Sequence, residues 1–118
     1  MEFLLLIYAD QAGFEKLTPA EAKDAMNAYG AYTGALQNAG VLRGSNRLRP
    51  THTATTVRVK SGKTDVLNGP YAETREQLGG YYLIDVKDLD AALSWAARCP
   101  AASHGVVEVR PVWPRSEF

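Results

Sequence analysis

Few side chains in this sequence pair proton-transfer chemistry with a setting that would hold them in place. His52 and His104 are its two histidines, and histidine is the side chain that ordinarily titrates near neutral pH. Glu73 follows a turn signal and Glu108 lies in a strand pattern, and a carboxylate works as a general acid or base when its surroundings tune it. Glu73, Glu108 and His104 are therefore the catalytic candidates. Arg58, Asn68, Tyr71, Tyr82, Arg110 and Tyr29 are the ligand-binding candidates, because their amide, guanidinium and phenol groups orient a bound molecule without reacting with it. A lone loop histidine is ordinarily just solvated, and most surface charge has no chemical duty. Two histidines and one cysteine in separate segments lack metal-ligand spacing. There is no P-loop, dinucleotide glycine motif or serine nucleophile elbow. No metal or cofactor is expected.

The elements that would position these groups are read from periodicity. Phe3 to Tyr8 is apolar without alternation, the pattern of a strand buried on both faces. A loop through Gly13 follows. Thr18-Pro19-Ala20-Glu21 carries a capping box with proline in the first turn. Ala22, Ala25, Met26, Tyr29, Tyr32 (or Thr33) and Leu36 then recur at helical spacing up to Gly40. Gly30 and Gly34 inside this helix suggest close packing of its backbone on the sheet. Val41 to Leu48 predicts a short irregular strand, and Ala54 to Lys60 a clearer, β-branched one. Ser61-Gly62 is a tight turn, and Lys63 to Leu67 returns as the second arm of a hairpin. Tyr81 to Val86 is a strand. Asp88 caps a helix with Leu89, Ala92, Leu93 and Ala96 on one stripe, ended by Pro100. Val106 to Val112 is the last strand.

The order β-α-β, hairpin, β-α-β predicts a single α+β domain over residues 1–118. Its expected form is the ferredoxin-like (split βαβ) antiparallel sheet with two helices on one face. A chain of 118 residues has room for one core. With 46% hydrophobic and 22% charged residues it has a globular composition. Lysine plus arginine equals aspartate plus glutamate, 13 each, which argues against nucleic acid as partner. The Phe3–Ala9 run is too short for a membrane span, and its acidic flanks do not suit a signal peptide. With a single cysteine, Cys99, no internal disulfide can form, and a cytoplasmic location is expected. Cys99 itself reads as a small apolar filler at a helix end.

Helices on one face leave the other face of the sheet uncovered. The first strand would make part of that face apolar, so two copies pairing sheet to sheet as a homodimer would supply the cover. In the last strand Glu108 and Arg110 alternate with Val107 and Val109, as Thr56 and Arg58 do with Val57 and Val59. A face apolar in one strand and charged in others would enclose a cavity with a few polar anchors.

Asn68-Gly69-Pro70-Tyr71 must redirect the chain after the hairpin, and Gly79-Gly80 lets the backbone bend or approach closely before Tyr81. With Thr53-Ala54-Thr55-Thr56-Val57-Arg58, Ala72-Glu73-Thr74, Glu76-Gln77-Leu78-Gly79-Gly80-Tyr81-Tyr82 and Glu108-Val109-Arg110-Pro111-Val112, the turn resembles the YCII-related family. More narrowly it is similar to the branch named for the tetrapeptide Asp-Gly-Pro-Phe. The resemblance implies a dimeric α+β barrel, a pocket near the dimer interface and a functional association with a sigma factor. Asn68 stands where that tetrapeptide has aspartate, and an amide is no general base. Tyr71 replaces its phenylalanine. The first long helix also lacks the histidine of the family's histidine–aspartate pair and carries Tyr29 and Tyr32 instead. The expected function is thus binding of an unknown small molecule by a homodimer. The alternative is a lyase- or isomerase-type enzyme moving protons through a carboxylate or His104.

Overall fold

The computed structural model describes all residues, Met1–Phe118. Six strands and three α-helices follow in the order β1 (Glu2–Ala9), α1 (Gln11–Glu15), α2 (Pro19–Asn38), β2 (Leu42–Arg47), β3 (Thr55–Lys60), β4 (Lys63–Asn68), β5 (Gln77–Asp85), α3 (Leu89–Arg98) and β6 (Val106–Pro111). Four strands form an antiparallel sheet in the order β2-β5-β1-β6, and β3 and β4 pair only with each other. The result is a mixed α+β fold. No helix is long and apolar enough to cross a membrane.

Local chemistry accounts for the element boundaries. Thr18 accepts from the backbone N–H of Glu21 while the Glu21 carboxylate accepts from the Thr18 N–H, and Pro19 opens α2. Asp88 caps α3 by accepting from the Ala91 N–H. Ser61 and Gly62 both have positive φ, +50° and +76°, as a two-residue turn matched to strand twist requires. The segment after β1 is not the simple loop expected, because Asp10 accepts from the Ala12 N–H and starts the short helix α1.

One sheet face carries the core. Phe3, Leu5 and Ile7 of β1 and Tyr82 and Ile84 of β5 alternate toward Tyr32 and Leu36 of α2 and toward Ala92 and Ala96 of α3. Phe3, Leu5, Leu36 and Ile84 are wholly buried. Cys99 is buried among them, the apolar filler its position suggested.

Several expectations are corrected. β1 is fully buried on one face only; Leu4, Leu6 and Tyr8 on the other are half-buried, because nothing in the chain covers them. A Cβ at Gly30 or Gly34 would meet nothing within 4 Å beyond the backbone of its own helix, so these glycines do not mark close packing on the sheet. Met26 of α2 and Leu89 and Leu93 of α3 are exposed. Of the four residues expected on the α3 stripe, Ala92 and Ala96 are buried, with Ala91 and Trp95 packed beside them. The stripe is therefore rotated toward the smaller side chains, which let the helix lie close to the sheet.

The molecule is flat, with extents of 48 × 47 × 19 Å and a radius of gyration of 16.4 Å. A compact domain of this length would have about 13.5 Å. Its accessible surface is 8412 Å², where a folded monomer of this mass exposes about 6,300 Å².

Candidate functional site on the open sheet face

The face opposite the helices is where chemistry-bearing side chains meet a concavity. In the β1–β6 ladder Tyr8 opposes Val106 and Leu6 opposes Glu108, so Tyr8, Val106 and Glu108 project to the open side. The chain entering β5 adds Thr74 and Glu76. These five residues line a depression of about 510 Å³, broadly open to solvent. Asp10, Arg75, Glu76 and His104 line a neighbouring one of about 360 Å³. Glu76 belongs to both.

A polar network holds this corner. The Thr74 hydroxyl donates to the Glu76 carbonyl at 2.6 Å, and the Gln77 amide donates to the Thr74 carbonyl at 2.6 Å. The Gln77 side-chain oxygen accepts from the Gln11 N–H. The Gln11 side-chain oxygen in turn accepts from the N–H and hydroxyl of Thr51. Two glutamines thus join α1, the β2–β3 connection and the start of β5, and set the backbone that carries Glu76. Asp10, Glu76 and Glu108 outnumber Arg75 around the two depressions, so the surface favours a ligand that brings positive charge or hydrogen-bond donors. Glu108 and Arg110 form an exposed ion pair at 3.8 Å, of a kind worth about 0–1 kcal/mol. In the single chain they enclose no internal cavity, contrary to expectation. The face has no second layer here, and Glu108 stands at the rim of an open depression.

The ligand-binding and catalytic candidates fall in four places. Glu108 and His104 lie at the two depressions, which meet at Glu76. Arg58, Asn68 and Tyr71 gather at the β3–β4 hairpin, where the Arg58 guanidinium lies 5.2 Å from the Tyr71 ring centre. The Asn68–Tyr71 turn closes the base of that hairpin. The Gly69 N–H donates to the Ala54 carbonyl at 2.7 Å, and the Thr56 hydroxyl to the Gly69 carbonyl at 2.9 Å. Glu73 is exposed on the following loop, and His52 on the β2–β3 connection.

Tyr29 and Tyr82 lie on the helix side, away from the open face. Tyr82 makes an edge-on contact with Tyr32 at 5.2 Å between ring centres, and its hydroxyl is 2.8 Å from that of Thr33. The Thr33 hydroxyl is also bonded to the Tyr29 carbonyl, and the Tyr32 hydroxyl donates to the Trp95 carbonyl at 2.7 Å. Burial pushes the Tyr29 phenol up to about 12 and raises those of Tyr32 and Tyr82 as well. The Cys99 thiol is raised by the same cause, which leaves it a poor nucleophile.

The sign of the resulting pH effect follows directly. An unfolded phenol ionises near 10, and these ionise higher when folded, so the unfolded state loses protons first. Their contribution to stability is complete below about pH 10. It is lost as pH rises through the folded values, about 12 for Tyr29. Alkaline titration should therefore show the tyrosinate absorbance of these three phenols appearing together with loss of circular dichroism. Ionisation of all six tyrosines at ordinary pH with the fold intact would contradict the buried cluster.

Periodicity reads Tyr8 only as the end of an apolar strand, and Glu76 enters the sequence reading as part of a motif and not as a site candidate. The available signal for Glu76 was its place just ahead of Gly79-Gly80, where a β-bulge facing Ile7 and Tyr8 shifts the register. No group of three or more His, Cys, Asp or Glu side chains is placed to hold a metal ion.

Comparison with known proteins adds two findings. Residues 1–116 match the model of the YCII-related domain. The chain is also similar to an uncharacterised protein of Rhizobium meliloti (strain 1021), at 40% identity over 114 residues, covering 95% of this chain and 92% of that one.

Proposed function

We propose that this chain, which belongs to the YCII-related domain family, is a small-molecule-binding protein whose site lies on the open sheet face and is closed by a second copy. One observation carries this reading: a face bearing Leu4, Leu6, Tyr8, Tyr81 and Leu83 is left without a cover. The chain exposes roughly 2,100 Å² more than a monomer of its mass should. A layer laid on that face would turn the depression lined by Tyr8, Thr74, Glu76, Val106 and Glu108 into an enclosed pocket. The sheet order supports the finer fold reading as well. With the β3–β4 hairpin set aside, two β-α-β units interleave as in the split βαβ arrangement, and two such sheets face to face form the dimeric barrel. The motif resemblance supports membership of the Asp-Gly-Pro-Phe branch and a regulatory setting beside a sigma factor.

Light scattering at micromolar concentration is expected to give twice the 12.9 kDa chain mass. In amide NMR, titration with a panel of small amines should shift Tyr8, Glu76, Val106 and Glu108. The double change Glu76→Gln with Glu108→Gln should weaken binding about a hundredfold, since each lost charged hydrogen bond costs roughly 1.5 kcal/mol or more. A monomeric mass, or shifts confined to another face, would refute the proposal.

The second reading is proton transfer of the lyase or isomerase kind. It is favoured by His104 and Glu76 lining one depression, a base and an acid within a single concavity. Slow conversion of a bound compound in the same NMR samples, abolished by His104→Gln, would select it.

A further inference from the structure

The β3–β4 hairpin stands apart from the rest of the molecule. Its strands pair only with each other, and no other element packs substantially against them. A two-stranded hairpin is marginally stable at best when left in water. This one is nonetheless amphipathic. Its register, with Val57 opposite Val66 and Val59 opposite Thr64, places Val57, Val59 and Val66 on one face beside Thr55, Thr64 and Asn68. Arg58, Lys60, Lys63 and Asp65 occupy the other, with Thr56 and the single apolar residue Leu67. The three valines are 59%, 67% and 57% exposed, an apolar surface that nothing in its own chain covers.

We infer that the hairpin is an arm that seats its valine face on the open sheet face of a second copy of this chain. The inference rests on the dimer proposed above and adds what the arm does within it. The occupant is a second copy for two reasons. First, the excess surface of roughly 2,100 Å² per chain matches what permanent homodimers bury on each partner. Second, the chain carries both halves of a complementary surface. The arm has three basic groups against one acid, and the open face presents Leu4, Leu6 and Leu83 beside Glu76 and beside Glu108, whose carboxylate pairs with Arg110. A twofold axis satisfies both contacts at once, since each arm reaches the other protomer. The valines then lie against the apolar part of that face that the facing sheet leaves uncovered, and the flexible stem of Lys60 reaches past the hairpin edge toward Glu76. Each depression so gains a wall from its partner, and the Asn68–Tyr71 turn fixes the angle at which the arm leaves its own sheet.

Hydrogen exchange on the full-length protein tests this. In the wild-type dimer, amides 55–68 should exchange roughly tenfold or more slowly than those of an isolated hairpin. Dilution into the monomer range should erase that protection. In the triple variant Val57→Ser, Val59→Ser, Val66→Ser, arm protection should vanish while the β1 and β5 amides stay protected, because the valines support nothing in their own chain. A dimer whose arm exchanges freely would overturn the arm and leave the binding proposal standing. Arm protection that survives the serine changes would also overturn it. A protected arm in a protein that binds none of the amines would refute only the binding proposal. A monomer at micromolar concentration would refute both.

Discussion

Gly105→Ala is expected to destabilise the protein by about 3 kcal/mol or more, at the upper end of overpacking costs. Gly105 sits where the turn after α3 becomes β6. Its N–H donates to the Ala101 carbonyl at 2.7 Å, and its α-carbon faces β1. A methyl group there would collide with the Tyr8 carbonyl oxygen and press against Ala9. Flexible side chains can swing away from such an intrusion, but a carbonyl inside a strand ladder cannot. Either β6 moves off β1 or the Tyr8 peptide turns, and both deform the wall of the depression that Tyr8 lines. The urea midpoint should fall with the slope unchanged, and the Tyr8 and Val106 amides should shift. A loss below about 1 kcal/mol would mean that the two strands are less closely apposed than the structure shows. Gly80 presents a milder version, its added Cβ lying 2.8 Å from the Asn46 carbonyl oxygen.

Leu5→Ala should cost about 3–4 kcal/mol, within the range for truncating a fully buried leucine. Leu5 lies on the central pair of strands, opposite Tyr82 on β5 and Val109 on β6, and none of its surface reaches solvent. Few neighbours can collapse into the space, since ladder bonds hold the strands on either side and two helices close the top. Leu4, one residue away on the open face, should tolerate alanine far better in the monomer range. The comparison must be made at equal protomer concentration, because association stabilises whichever form it favours. Equal losses at the two positions would contradict the assignment of faces.

Features that depend on a few neighbouring residues were legible from the chain alone. The capping box at Thr18 and Glu21, the Asp88 cap, the Ser61-Gly62 turn and the alternation in β6 are short-range chemistry, and the structure contains each of them. Family membership belongs in the same class, since its motifs are strings of adjacent residues. Burial on the helices was less legible. Of the expected stripe Leu89, Ala92, Leu93 and Ala96, the two alanines are buried and the two leucines exposed, because helix rotation is set by how closely the backbone can approach the sheet.

The candidate site belongs to the other class. Glu108 and His104 were visible as residue types, but the amino-acid order does not join them to Glu76 and Tyr8. That requires β1, the entry to β5 and the start of β6 to arrive side by side, a product of strand order and register. Tyr81 and Tyr82 make the same point. They are neighbours in sequence, yet Tyr81 accepts from Asn46 on the open side while Tyr82 sits in the core with Tyr32. The tight clearance at Gly105 arises from a carbonyl almost a hundred residues earlier. The sequence by itself thus determined which segments become strands and helices, α1 apart, where they are capped, and that the first strand is apolar on both faces. Only the tertiary structure decided which face stays open, which carboxylate joins the histidine, and that the hairpin leaves the sheet, because each depends on contacts between distant segments that local propensity does not encode.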